Sequence, residues 1–242
     1  MICIYDLLII FCGMLSDLFS LVYPDICHAC EESLYSGEKT LCTSCLYHLP
    51  KTHYHLEYNN PVMRHFFGRA DVAAAASLYF FDKGGKVQRL IHQLKYKGEQ
   101  EVGVFLGKYY GAELCSSASF SPVDIILPVP LHPTKKARRG YNQSELFAEG
   151  LALGMQKKLN TDSLKRIRHS STQTRKARYE RWENVWGIFK VVKPENLEGK
   201  HILLADDVIT TGATLEACAE VLLQIPGAKV SVVSIACSIR SS

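Results

Sequence analysis

Two adjacent carboxylates near the carboxyl end of the chain, Asp206 and Asp207, stand between an apolar segment and a run of small hydroxyl residues. The whole stretch, residues 201–216, reads HILLADDVITTGATLE and predicts a strand, a loop closed by Gly212 and a helix. In an open α/β sheet, such a loop and the positive end of the next helix bind anions. Glycine lets the backbone close around a phosphate, and threonine hydroxyls add donors without bulk. The sequence therefore predicts a phosphate site at Thr210, Thr211, Gly212, Ala213 and Thr214.

The same two carboxylates indicate what lies beside that phosphate. Asp206 and Asp207 would repel a phosphate, so they face a ligand that offers hydroxyl donors or a positive charge. A ribose diol and a Mg²⁺ ion both satisfy this condition. The alternative interpretation is an ordinary α/β strand that happens to be followed by two acids. It explains neither the threonines nor the glycine of the loop that follows. The acidic pocket of a response regulator is a weaker alternative. Its paired acids follow the first strand of the fold, whereas only 36 residues remain after Asp206 in this chain.

A second candidate anion site follows another apolar stretch. Residues 124–130, DIILPVP, predict a buried strand that leads into Leu131, His132 and four cations within residues 135–139. The prolines fix the backbone where a parallel strand would deliver its loop to the ligand edge of a sheet. Local positive charge suits a polyphosphate or a nucleic-acid backbone, although the formal net charge of the chain, +4, is mild. An edge strand with a solvated turn is the alternative interpretation.

Four cysteines near the amino end have the spacing of a metal site. Cys27, Cys30, Cys42 and Cys45 form C-x2-C-x11-C-x2-C. Each pair lets a tight turn aim two thiolates at one ion, and two such turns make a closed tetrahedral site. The pattern favours a structural Zn²⁺ ion, with disulfides and free thiols as the alternatives.

The rest of the sequence predicts an α/β domain behind the cysteine unit. A polar and aromatic connector over residues 57–68 suggests the domain boundary. It separates an amino-terminal helix and cysteine unit, residues 14–58, from a main domain, residues 69–242. Predicted elements of the main domain are a strand over 70–81, helices over 84–98 and 99–115, and a helix that ends near residue 159.

The sequence predicts neither a membrane span nor an export signal in the first residues. The apolar stretch Leu7–Cys12 is too short to cross a bilayer, and no Lys or Arg precedes Lys39. We therefore expect a cytoplasmic protein that begins naturally at Met14 with a short amphipathic helix.

The Asp-Asp segment resembles the phosphoribosyl-diphosphate (PRPP) binding motif of the type I phosphoribosyltransferases. HQLKYKG at 92–98, LPVPLHPTKKARRGYNQSELFA at 127–148 and RIRHSSTQTRKARYERWENVWGIF at 166–189, together with the four cysteines, narrow the resemblance to the ComF family. The resemblance runs from about Met14 to the end of the chain. In one departure, Lys135 and Lys136 stand where the family pattern has arginine, which preserves charge but not bidentate geometry.

This resemblance implies an α/β protein with the type I phosphoribosyltransferase fold, a mostly parallel twisted sheet flanked by helices, preceded by a small zinc ribbon. Asp206 and Asp207 would be the catalytic pair and hold the ribose 2′ and 3′ hydroxyls. The loop from Val208 and Ile209 to Thr214 would bind the 5′-phosphate. Pyrophosphate, with Mg²⁺, would be received by Leu131, His132, Lys135 and Arg139. A lid would include Arg168, Gln173 and Arg181.

Two functions are consistent with the resemblance. The first is transfer of a phosphoribosyl group to an unknown acceptor, in a family linked to DNA uptake and competence. The second is a non-catalytic PRPP or nucleotide sensor that contacts single-stranded DNA or proteins of the DNA-uptake machinery through its zinc unit and basic loops. No segment rich in base-edge donors identifies an acceptor base, so the sequence leaves both functions open.

Overall fold

A computed structural model describes residues 24–167 and 187–238 of the chain. The chain divides into two compact units, with the boundary between Leu49 and Pro50. No helix within the described residues is long and apolar enough to cross a membrane. The amphipathic helix expected after Met14 lies outside the described residues.

The first unit is small and consists largely of turns. Ile26 and Ser33 form an antiparallel bridge on either side of the first cysteine pair. Helix α1 (Thr43–His48) begins directly after Cys42, whose Sγ accepts a hydrogen bond from the Cys45 N–H at 3.4 Å. Both cysteine pairs are therefore held in tight backbone turns.

A sheet of parallel strands forms the centre of the second unit. Its pairing order is β1–β7–β6–β2–β3, and each neighbouring pair is parallel. Two further strands, β4 and β5, form an antiparallel ribbon. The mostly parallel sheet that the resemblance implied is confirmed. The strands are β1 (Ala74–Phe80), β2 (Ile125–Pro128), β3 (Lys158–Leu159), β4 (Leu164–Arg166), β5 (Phe189–Val191), β6 (His201–Ile209) and β7 (Lys229–Cys237).

Helices connect these strands. Val87, Leu90, Ile91 and Leu94, the predicted apolar face of the helix over residues 84–98, are all buried. This helix continues from α3 into a π-helical turn, Gln93–Lys97, and ends at Gly98, which has a φ of 85°. The helices are α2 (Pro61–Arg64), α3 (Lys86–His92), α4 (Gln100–Cys115), α5 (Pro133–Arg139), α6 (Gln143–Met155) and α7 (Ala213–Leu223), with 3-10 turns at Tyr54–Leu56 and Pro194–Asn196.

The unit boundary falls earlier in the chain than the predicted connector. Backbone hydrogen bonds tie the residues after Leu49 to β1, because the Thr52 N–H donates to the Leu78 carbonyl at 3.0 Å and the Phe80 N–H donates to the Pro50 carbonyl at 2.9 Å. Within the predicted connector, the side chain of Asn60 caps α2. Asparagine as a cap before proline at the first helical position starts a helix as readily as it makes a loop.

Two segments differ from the predicted elements. Residues 133–139, expected as a rigid loop, form α5, which begins with proline and is capped by His132. The helix expected to end near residue 159 ends at Met155, because Gln156 adopts a φ of 54°. The chain then pairs with β2 as β3.

Close packing of α4 against the middle of α6 fixes the position of α6. A Cβ atom on Gly107 would lie 2.8 Å from the Leu151 nitrogen and closer still to the Phe147 carbonyl oxygen. Only glycine lets the two backbones approach to this distance. Because α6 begins at Gln143, four residues after the end of α5, this packing also anchors the residues that follow α5.

Candidate functional site

The residues that follow β2 and β6 meet at one edge of the sheet, since Pro128 pairs with Ala205 in parallel register. Strand β6 ends at Ile209, and Thr210–Gly212 form a short loop before α7. The backbone N–H groups of Thr210–Ala213 donate no hydrogen bond to another described residue. These groups can therefore bind an anion at the positive end of α7.

Gly212 closes this loop in the conformation that glycine favours. It is the N-cap of α7 with a φ of 69°, and a Cβ atom there would lie 2.6 Å from Cδ2 of His65. The Nε2 atom of His65 contacts the Thr211 carbonyl oxygen, and an Arg69 nitrogen lies 3.5 Å from a Glu216 oxygen. Residues just after α2 therefore cover one side of the loop.

Asp206 and Asp207 lie within β6 and meet different partners. Consecutive side chains of a strand point to opposite faces. The Ser144 hydroxyl donates to Oδ1 of Asp206 at 2.8 Å, and the Asp207 backbone N–H donates to the same oxygen at 2.9 Å. Oδ2 of Asp207 lies 2.7 Å from Nζ of Lys95. Each carboxylate is thus held in place by a separate element.

The two carboxyl groups influence each other. Burial and the negative charge of Asp207 raise the pKa of Asp206 from its ordinary value of 3.8 to about 7, against the opposing effects of the Ser144 and backbone hydrogen bonds and of Lys95. The carboxyl group of Asp206 therefore titrates near neutral pH. A carboxyl group with so raised a pKa, at the ligand edge of a sheet, is typical of a functional site.

The basic segment, residues 131–139, uses several of its side chains internally. Nδ1 of His132 accepts a hydrogen bond from the Thr134 N–H at 3.2 Å, so this ring caps α5. Lys136 forms an ion pair with Glu145 at 2.9 Å. Lys135 and Arg138 are exposed. Of the predicted pyrophosphate contacts, His132 already has a structural role, whereas Lys135 is open to solvent.

Arg139 differs from the other cations of the basic segment. Its Nη1 donates to Oε1 of Gln143 at 2.9 Å, and its guanidinium carbon lies 5.2 Å from the centre of the Tyr96 ring. The Nε atom of Arg139 and the Nε2 atom of Gln143 are buried donors without a hydrogen-bond partner among the described residues. Buried donors without partners are uncommon and are explained where a ligand supplies the acceptor.

A cleft of about 590 Å³ lies beside the basic segment. Leu131 and Lys136 line one part of it, and Arg166 of β4 lines another. Burial lowers the pKa of Arg166, whose guanidinium carbon lies 5.4 Å from the centre of the Phe189 ring. The lining of the cleft therefore combines prolines and leucines with the cations Lys136, Lys165 and Arg166 and the acid Glu145.

The predicted site residues do not all take the expected places. Asp206, Asp207 and Thr210–Thr214 come together at the carboxyl edge, and Leu131 and Arg139 follow the neighbouring strand. Val208 and Ile209 instead pair with β7 as strand residues, and the Ile209 side chain is buried. The predicted lid residues Arg168, Gln173 and Arg181 lie outside the described residues.

Three residues of the site were not predicted: Lys95, Gln143 and Ser144. Each lies in a sequence segment quoted for the resemblance, but nothing local in the sequence shows which carboxylate or guanidinium it contacts. Lys95 lies in a basic turn that ends at a glycine. Because this pattern is typical of the carboxyl end of any helix, it does not indicate a functional residue. Only the fold brings this turn to the end of β6.

The four cysteines of the first unit form one cluster, as the spacing predicted. Cys27, Cys30, Cys42 and Cys45 have Sγ atoms within 4.8 Å of one another, and those of Cys30 and Cys42 are 3.7 Å apart. Four sulfurs bound at about 2.3 Å to one tetrahedral ion lie about 3.8 Å apart. Burial opposes ionisation of Cys27, but backbone hydrogen bonds outweigh it and lower its pKa to about 7. Burial raises the pKa of Cys30 and of Cys45. The cluster therefore has the donors and spacing of a zinc site.

Comparisons with known proteins find a domain match and relatives of this chain. Residues 142–242 match the phosphoribosyl transferase domain. DNA utilization protein YhgH of Escherichia coli is 30% identical over 210 residues, which cover 86% of this chain and 88% of that protein. Competence protein ComFC of Bacillus subtilis is 30% identical over 144 residues, 57% of this chain and 54% of that protein. A crystal structure of adenine phosphoribosyltransferase from Saccharomyces cerevisiae aligns with a TM-score of 0.34 at 18% identity, over 64% of this chain and 75% of that one.

The parallel sheet, the loop after β6 and the matched domain define a protein with a phosphoribosyltransferase domain. With its four-cysteine amino-terminal unit, the chain belongs to the ComF family, which includes the DNA utilization and competence proteins above.

Proposed function

We propose that this protein binds PRPP with Mg²⁺ at the carboxyl edge of its sheet and transfers the phosphoribosyl group to a nucleophile. The observation that carries the proposal is a single segment of chain. Asp206 and Asp207 at the end of β6 lie directly before a loop whose N–H groups have no described acceptor. Carboxylates for a diol and N–H groups for a phosphate are what the two ends of a ribose 5-phosphate need.

Each part of PRPP has a corresponding group of residues. Thr210–Thr214 hold the 5′-phosphate, and Val208 and Ile209, as the last residues of β6, position this loop. Asp206 accepts its described hydrogen bonds at Oδ1, which leaves Oδ2 for a ribose hydroxyl. Asp207 binds the neighbouring hydroxyl. Pyrophosphate lies towards the basic segment, within reach of Lys135 and the unpartnered donors of Arg139 and Gln143.

The transfer would proceed at the anomeric carbon. A nucleophile, usually nitrogen, forms a bond to this carbon. The bond between the same carbon and the pyrophosphate oxygen breaks, and the reaction passes through an oxocarbenium-like state. Carboxylate and hydroxyl oxygens suit Mg²⁺, which when bound with PRPP neutralises charge on the leaving pyrophosphate. The residues of this chain contribute positioning and charge stabilisation rather than a covalent step. Pyrophosphate release in a screen of nucleobases and amines measures this activity.

A second candidate function has support from the names of the relatives. The name of DNA utilization protein YhgH refers to the use of DNA, and ComFC is named as a competence protein. A PRPP sensor that binds single-stranded DNA or a DNA-uptake protein through its basic segment would use the same fold without transfer.

The cytoplasmic location and the Zn²⁺ ion at the four cysteines are further parts of the proposal.

Alanine substitution of Lys135, Lys136, Arg138 and Arg139 separates the two candidates. If the basic segment holds pyrophosphate, PRPP affinity falls by about tenfold or more, because each charge-assisted contact to a phosphate is worth on the order of 1.5 kcal/mol. Affinity for single-stranded DNA then changes little. Paired calorimetric titrations with PRPP and with single-stranded DNA measure both affinities.

A charge-matched variant controls for the loss of four cations. It replaces exposed lysines outside the basic segment, and we expect wild-type affinity for PRPP. Unchanged PRPP affinity of the basic-segment variant, beside a collapse of DNA affinity with a reduced salt dependence, would favour the DNA-binding function. The control substitutions are Lys108→Ala, Lys193→Ala, Lys200→Ala and Lys229→Ala.

A further inference from the structure

The π-helical turn after α3 places one lysine against the catalytic carboxylates. Nζ of Lys95 lies 2.7 Å from Oδ2 of Asp207, and the two side chains are only 21% and 15% exposed. An ion pair shielded from water to this degree is stronger than a surface pair, because solvent and salt screen it less. Lys97, two residues further along the same turn, is exposed instead.

The same turn is attached to the basic segment and to the residues that follow it. The Tyr141 hydroxyl donates to the Leu94 carbonyl oxygen at 2.7 Å, and the Arg139 guanidinium lies over the Tyr96 ring. Lys95 is therefore carried by a turn that contacts the place proposed for pyrophosphate, while its ammonium group contacts the place proposed for the ribose.

We propose that Lys95 is the resident counter-ion of Asp207, and that it keeps divalent cations out of the site until PRPP brings the metal with it. The inference rests on the proposed function, since it assigns an order to the binding of PRPP and metal. An ammonium group on Oδ2 occupies the position that a metal ion would take at this carboxylate. A second positive charge there would be repelled at short range.

Arrival of PRPP changes this balance of charge. The pyrophosphate group of PRPP brings several negative charges to the edge of the sheet. At this edge, Arg139 contacts the π-helical turn that carries Lys95. Lys95 can then exchange Asp207 for a pyrophosphate oxygen, a contact of the same charge-assisted kind. Asp207 is released to the ribose and to a metal ion that enters with PRPP. Lys95 is thus a positioning residue that couples metal entry to substrate.

Binding of Mn²⁺ alone, followed by electron paramagnetic resonance of the zinc-containing full-length protein, tests the inference without PRPP. We expect wild-type protein to bind Mn²⁺ weakly and Lys95→Met to bind it at least about tenfold more tightly, because loss of the ammonium group exposes Oδ2 of Asp207. Lys95→Arg keeps the charge and should behave as wild type. Lys97→Met removes an exposed lysine of the same turn and should also behave as wild type.

Adding Asp207→Asn to Lys95→Met should abolish the gain, which locates the Mn²⁺ ion at this carboxylate. Equal affinity of wild type and Lys95→Met for Mn²⁺ alone would overturn the inference, and so would a gain that survives Asp207→Asn. Circular dichroism establishes that each variant folds, and Lys95→Gln replaces Lys95→Met if the latter does not. Failure of wild-type protein to bind PRPP with Mn²⁺ would contradict the proposed function separately, since the comparison with Mn²⁺ alone uses no PRPP.

Discussion

Replacing both Asp206 and Asp207 by asparagine should weaken PRPP binding by about two orders of magnitude or more. Above the pKa of Asp206, about 7, each carboxylate contributes a hydrogen bond between a charged acceptor and a ribose hydroxyl, worth on the order of 1.5 to 3 kcal/mol. Asparagine keeps the size of each side chain and one acceptor oxygen, so the fold should survive. Calorimetric titration of PRPP in the presence of Mg²⁺ measures the change, and wild-type affinity in the double variant would show that the ribose assignment is wrong.

The single variant Asp206→Asn serves as the folding control and has a pH signature of its own. The folded protein raises the pKa of Asp206 from 3.8 to about 7, so it binds this proton more tightly than the unfolded chain does. The free energy of unfolding of wild type therefore falls as pH rises between these two values. Asparagine does not titrate, so the variant should gain stability relative to wild type by on the order of 2 kcal/mol between about pH 5.5 and pH 8. Urea titrations at both pH values measure this difference.

Removal of zinc should unfold the first unit. Purified protein is expected to carry about one Zn²⁺ per chain, because four thiolates make one closed tetrahedral site. Zn²⁺ binding to structural sites supplies about 10 kcal/mol or more, and a unit of turns with one short helix has little else to hold it. Cys42→Ser should lose the metal and become susceptible to proteolysis within residues 24–49, while the second unit keeps its own melting transition. Metal analysis and limited proteolysis of the purified variant measure both effects.

The exposed Cys115 provides the matched control for this zinc prediction. Cys115→Ser should retain the metal and resist proteolysis as wild type does. Absence of zinc from freshly reduced protein that has not met a chelator would remove the zinc assignment, and so would a disulfide between members of the cluster in the cell.

Local patterns in the sequence were sufficient to predict the main elements of the fold. The buried stretch before Asp206 is a strand, the apolar face of the helix over residues 84–98 is buried, and the four cysteines form one cluster. Each of these features depends on periodicity, glycine or fixed spacing within a few residues. The order of strands across the sheet does not, and the sequence did not predict it; the resemblance implied only that the sheet is mostly parallel.

Local patterns were insufficient where a residue's partner is distant in the chain. The ion pair of Lys95 with Asp207 and the hydrogen bond of Ser144 to Asp206 join segments that only the folded sheet brings together. The capping of α5 by His132 was not predicted, because the sequence does not show whether a residue before proline ends a loop or starts a helix. The unit boundary at Pro50 likewise depends on hydrogen bonds to β1, which no local pattern indicates.

Isothermal titration of wild-type protein with PRPP in the presence of Mg²⁺ is the most direct test of the central claim. The geometry of the loop after β6 predicts one binding site per chain, with a dissociation constant on the order of 1 μM to 1 mM, the usual range of enzyme affinities for their substrates. The double variant Asp206→Asn with Asp207→Asn should give little or no heat of binding under the same conditions. Absence of binding to the wild type, or equal binding to the double variant, would contradict the assignment of this edge of the sheet as a PRPP site.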